Sequence, residues 1–213
     1  MKKHSLLFTI VLLIGISLEA QESIDQKWYL QPSAFFFDLS KASTETNIGG
    51  SDLPGENISF SNSTVPGVGI GYFVNTNISI HTVIAYPPST TAEGKNNLEG
   101  QTAGEVTYAP FAISGLYHYR LGDFQPFLGG GFAYAVILDA EDGDVSDIEA
   151  DNAFGFIIRG GFDYMVNNSW GASLSVNRLF IDTEITGDAG GAPAKVDASL
   201  NPWVYSIGVI YRR

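Results

Sequence analysis

The sequence predicts an all-β fold, an eight-stranded antiparallel transmembrane β-barrel with short periplasmic turns and long extracellular loops. Three observations carry this expectation. The N-terminus has the layout of an export signal. The remainder alternates apolar residues with small or polar ones in long, aromatic-rich runs. The connections between those runs alternate long and short.

The elements follow in chain order. Lys2 and Lys3 precede an almost wholly apolar run, residues 6–18, and Leu18-Glu19-Ala20 offers a cleavage site before Gln21. The run is shorter than the roughly 20 residues a helix needs to cross a bilayer. Residues 1–20 therefore read as a secretory signal, with an uncleaved anchor as the alternative, and residues 21–213 as the barrel domain. Strands are expected at residues 28–38, 64–73, 77–86, 106–120, 124–138, 153–165, 170–182 and 197–211. Residues 74–76, 121–123 and 166–169 are tight turns, whereas 39–63, 87–105, 139–152 and 183–196 are long polar connections. Runs of about ten residues suffice for tilted strands to cross the hydrocarbon core. An even strand number puts both termini on the short-turn side.

Alternation supports each crossing. In the last run Trp203, Tyr205, Ile207, Val209 and Tyr211 share one face, and Val204, Ser206 and Gly208 take the other. In the sixth, Phe154, Phe156, Ile158, Phe162 and Tyr164 oppose Gly155, Arg159, Gly161 and Asp163. In the seventh, Trp170, Ala172, Leu174 and Val176 oppose Gly171, Ser173, Ser175 and Asn177. A period of two with aromatics near the strand ends suggests a lipid-facing band, with Trp170, Trp203, Tyr205 and Tyr211 as interfacial aromatics. No later segment reads as a membrane helix, so entry into a bilayer requires a closed barrel, which satisfies every backbone hydrogen bond. Two turns echo each other, residues 72–77 and 164–169, and Asn suits such turns because it tolerates positive φ.

Composition narrows the chemistry. The chain has no Cys, which removes thiol catalysis, disulfides and thiolate metal sites. Its formal net charge of −12 opposes nucleic-acid binding, because phosphate contacts need Lys and Arg. Gly67, Gly69 and Gly71 alternate along a strand, without the spacing or helix of a dinucleotide loop, and are expected to make room inside a crowded lumen. The acidic run at residues 139–144 fails as a calcium loop, since registering Gly143 as the turn glycine puts Leu138 where the first carboxylate belongs. It reads as a solvated outer loop. His4, His81 and His118 show no metal-ligand spacing, and no nucleophile elbow is present. An enzyme, a cofactor and a metal are not expected. Arg159, Asp163 and His81 are the candidate lumen-facing residues, with Arg159 and Asp163 expected to pair with each other in a structural lumen network, a direct ligand role being the alternative.

At this point a family resemblance becomes specific. Residues 195–197, then Asn201-Pro202-Trp203-Val204-Tyr205-Ser206-Ile207-Gly208-Val209, then Tyr211-Arg212 resemble the closing stretch of the OmpW family of small outer-membrane proteins. Phe124-Gln125-Pro126-Phe127-Leu128-Gly129-Gly130-Gly131 with Tyr134, Gly71-Tyr72-Phe73 with Asn75 and Asn77, Ala85-Tyr86-Pro87, and Ile181-Asp182-Thr183 follow in family order. The resemblance implies an eight-stranded barrel in the outer membrane of a Gram-negative bacterium, with a narrow, mostly apolar interior. It also implies passive uptake of small hydrophobic molecules, with lateral exit into the bilayer. Its partners would be outer-membrane lipid, small hydrophobic solutes and the barrel-assembly machinery. A structural or surface-interaction barrel with a plugged lumen is the alternative function, and a secreted soluble carrier barrel a third. The chain departs from the family in ending Tyr211-Arg212-Arg213 rather than in an aromatic residue, so recognition during assembly would rest on Tyr211.

Overall fold

The computed structural model describes residues 27–213. The expected signal at residues 1–20 lies outside the described residues. Eight long strands form the barrel: β1 (Trp28–Asp38), β2 (Ser63–Phe73), β3 (Ile78–Ala85), β4 (Thr102–His118), β5 (Phe124–Asp142), β6 (Ala153–Met165), β7 (Trp170–Asp188) and β8 (Trp203–Arg212). Every neighbouring pair is antiparallel, and β1 closes the cylinder by pairing with both β2 and β8. Closure leaves no unpaired edge, which is what a strand protein in lipid requires.

Alternation dictates the two faces. On β8, Val204, Ser206, Ile210 and Arg212 are buried inward while Trp203, Tyr205, Ile207 and Val209 are exposed. On β6, Phe154, Phe156, Ile158 and Tyr164 point outward, opposite Ile157, Arg159 and Asp163. The outward face is continuous and apolar around the cylinder. Gly71 is required by a close approach, for the Tyr29 ring packs where its Cβ would sit. Gly69 likewise makes room for the His81 ring.

The long connections differ from expectation. They carry strands of their own. The outer end of β7 pairs with Ser146–Ala150 and with Pro193–Ser199, which pairs with Ser43–Ile48. The outer end of β4 pairs with Ser89–Gly94, which pairs with Ile58–Phe60. Beyond the lipid both faces of a strand meet water, so the ladder continues after the hydrophobic alternation ends. The acidic run is part of this extension. The Asp142 Oδ1 accepts the Ile148 N–H at 3.0 Å, and the Asp144 Oδ2 accepts the Thr102 N–H at 2.7 Å.

The last strand begins at Trp203, not at residue 197. Asn201 sits at φ 38°, and Pro202 has no N–H, so the chain breaks between Pro193–Ser199 and β8. The break costs β7 little, because its Leu179 N–H reaches the Pro202 carbonyl at 3.1 Å and its Ile181 N–H the Asn201 Oδ1 at 3.1 Å.

The two echoing turns share a mechanism, but not positive φ, since among described non-Gly residues only Asn96, Asp147 and Asn201 have it. The Asn75 Oδ1 accepts the N–H groups of Asn77 and Ile78 at 2.9 and 2.8 Å. The Asn167 Oδ1 accepts those of Ser169 and Trp170, both at 2.9 Å. Each Asn side chain thus replaces a backbone acceptor. Alanine at either position is expected to cost about 1 kcal/mol. Unfolding midpoints in lipid vesicles check this, and an unchanged midpoint for both would show that the side chains are dispensable.

Candidate functional site

The barrel interior is layered. At the short-turn end Tyr29, Phe73, Met165 and Ile210 form a small apolar floor. Above and beside it lies a buried polar network. On the long-loop side the lining turns apolar again, around Phe35, Phe37, Val65, Ala133, Ile157 and Ile181.

The network contains the three sequence-predicted residues. Arg159 is 2%, Asp163 1% and His81 1% exposed, all inside the cylinder. The expected Arg159–Asp163 pair is not the arrangement found. Asp163 pairs with Arg212 at 3.1 Å, and its second oxygen accepts the Ser173 hydroxyl at 2.7 Å. Arg212 also donates to the Gln125 Oε1 at 2.6 Å and lies over the Phe73 ring. Arg159 instead donates to the His81 Nδ1 at 3.0 Å. A guanidinium can only donate, so that His81 nitrogen accepts. Gln31 reaches Ser173, Tyr29 reaches Ser79 at 3.1 Å, and Ser79 reaches the His118 Nε2 at 2.9 Å.

Arg212 was missed, although its signal was in the sequence. The parity that puts Val204, Ser206 and Gly208 inward puts residue 212 inward as well. Arg212, the first of the two closing arginines, thus turns its side chain into the barrel and neutralises Asp163.

Above the network lies a narrow cavity of about 110 Å³. Its walls are Phe35, Phe37, Val83, Ala133, Ile157, Leu179, Ile181 and Val204, and its base reaches Arg159 and Asn177. Small residues, Ala85, Ala112, Ala133, Ala135 and Ala153, leave the space that larger ones would fill.

One side of this cavity faces a weak seam. The β3–β4 register runs to Ile84↔Phe111 and resumes at Ser89↔Thr107. Between them Pro87, Pro88 and Pro110 have no N–H to give. The Tyr108 N–H reaches the Pro88 carbonyl at 3.1 Å across the gap. Val83, Ala85, Pro110, Phe111 and Ala112, on both strands of the seam, line the cavity.

The outer mouth is polar. Glu45, Asp52, Glu56, Asp151, Asp182, Glu184 and Asp197 surround a vestibule of about 1010 Å³. Lys195 bridges Glu184 at 2.8 Å and Asp197 at 3.4 Å, and the bond to Glu184 raises its pKa. This pair is exposed and contributes little to stability. Among the described residues no group of three or more His, Asp or Glu is placed to hold a metal ion.

The four aromatics singled out from the sequence occupy the strand ends. Trp170 packs on Tyr211 at 4.6 Å beside a short turn. Trp203 lies at the loop end under the Arg178 guanidinium, 5.0 Å from its ring, and Tyr205 packs on Phe36 at 6.2 Å.

Comparison with known proteins agrees with this architecture. The chain is 28% identical over 169 residues to the dibenzothiophene metabolism operon protein PahQ of Pseudomonas aeruginosa, covering 79% of this chain and 80% of PahQ. It is 32% identical over 164 residues to the uncharacterized outer-membrane protein y4mB of Sinorhizobium fredii, covering 75% of this chain and 70% of y4mB. Among solved structures, the outer membrane protein OprG of Pseudomonas aeruginosa shares the fold with a TM-score of 0.81 at 23% identity, over 88% of this chain and 96% of OprG. The model of the OmpW family matches residues 34–213. The chain therefore belongs to the OmpW family, the outer-membrane β-barrels of Gram-negative bacteria that its closed eight-stranded cylinder and apolar outward face require.

Proposed function

We propose that this outer-membrane barrel is a narrow channel for passive uptake of small hydrophobic molecules. The observation that carries this reading is the apolar cavity, which opens to the outer mouth and ends on a polar network. A hydrophobic solute entering from outside leaves water for an apolar wall. It then meets Arg159, Asp163 and Arg212, whose hydrogen bonds it cannot replace. The easier exit is sideways, through the β3–β4 seam into the bilayer. Eight strands leave no room for a wide aqueous pore. Similarity to a protein of a dibenzothiophene metabolism operon supports an apolar cargo. Lipid is the medium of the outward face, and Tyr211, at the close of β8, is the aromatic offered to the assembly machinery.

The seam gives the test. The Ser89 Oγ and Thr107 Oγ1 lie 2.7 Å apart at its upper end, and the chain has no other Cys to interfere. In the double variant Ser89→Cys, Thr107→Cys, oxidation is expected to slow proteoliposome uptake of dibenzothiophene several-fold, and reduction to restore it. Uptake indifferent to oxidation would exclude the lateral route. Uptake equal to that of protein-free vesicles in both states would favour the alternative, a plugged structural barrel.

A further inference from the structure

The base of the cavity is not apolar. Arg159 and Asn177 are direct cross-strand partners on β6 and β7, so both side chains rise from the same level of the wall. They are 2% and 3% exposed and line the cavity. The Arg159 Nε and the Asn177 Oδ1 make no hydrogen bond within the protein. Arg159 donates to His81, and the Asn177 Nδ2 donates to the Val204 carbonyl at 2.8 Å and the Ser175 Oγ at 3.2 Å.

Charge points the same way. Arg159 and Arg212 share the buried interior with Asp163, and Asp163 is spent on Arg212 and Ser173. Arg159 faces an otherwise apolar chamber as a cation with no carboxylate of its own. A buried polar atom without a partner is costly, and a buried charge more so. A ligand that brings an acceptor to the Arg159 Nε gains what that cation lacks, whereas the Asn177 Oδ1 calls for a donor.

We propose that the cavity base is a head-group site for slender amphiphiles, a medium-chain carboxylate above all, with the carboxylate on Arg159 beside Asn177 and the tail in the apolar chamber. The inference rests on the uptake reading and deepens it, naming the solute class. Length fits. From Arg159 to Ala153 β6 climbs about 20 Å along the strand, roughly 15 Å along the barrel axis at the usual tilt. A decanoate chain lies within that depth. A carboxylate takes the unused Arg159 N–H. The Asn177 Oδ1 accepts from the head when the acid is protonated.

The test is binding to the full barrel in nanodiscs, with empty nanodiscs subtracted. The probes are [1-13C]decanoate followed by its carboxyl resonance, and n-decane as its competitor. Decanoate is expected to bind about ten-fold or more tighter than decane, the margin of a charge-assisted hydrogen bond. Arg159→Met is expected to bring that ratio close to one and Arg159→Lys to keep most of it. The wild-type ratio is informative even if a variant does not fold. Equal affinities, unchanged in Arg159→Met, would overturn the head-group site and leave the hydrophobic conduit standing. Binding of neither probe would remove both.

Discussion

Replacing Asp163 with alanine is expected to destabilise the barrel by about 3–5 kcal/mol, the cost of leaving a buried charge without its partner. The carboxylate is the meeting point of Arg212 and Ser173, and Arg212 in turn holds Gln125. Without it two cations, Arg159 and Arg212, remain in one narrow interior. Urea unfolding in lipid vesicles measures the loss. Lys195→Ala is the contrast. Its two ion pairs are exposed at the mouth and screened by solvent, and its loss is expected to leave the unfolding midpoint almost unchanged. Equal effects would mean that Asp163 is not the hub the geometry makes it.

Ala133→Phe carries the second large effect. Ala133 is 3% exposed at the centre of the cavity wall, among Phe35, Phe37, Ile157 and Val204. An added ring is forced into the chamber that Ala133 lines, where it narrows the path and crowds the neighbouring side chains. Uptake of dibenzothiophene into proteoliposomes is expected to fall at least ten-fold. Unchanged uptake by a folded variant would place the solute path outside the cavity.

The barrel was legible where membrane physics writes a period of two. Residues 28–38 and 153–165 were placed at their observed ends, because lipid on one side and packed lumen on the other force alternation. The outer extensions were not, because Thr, Ser, Asp and Glu above the membrane face water on both sides while their backbones still pair. Arg159, Asp163 and His81 could be placed by parity, but parity gives a face and not a partner. Register and reach chose Arg212 for Asp163 and His81 for Arg159. The cavity was hidden for a related reason. It is made by small side chains scattered over several strands, and their convergence depends on registers that no local motif encodes.

The measurement that tests the central claim most directly is flux and conductance on the same reconstituted protein. An apolar chamber with the network of Arg159, Asp163 and Arg212 beneath it is expected to raise dibenzothiophene uptake well above protein-free vesicles while passing no sustained ion current. A steady ionic conductance, or uptake no faster than bare lipid, would contradict it.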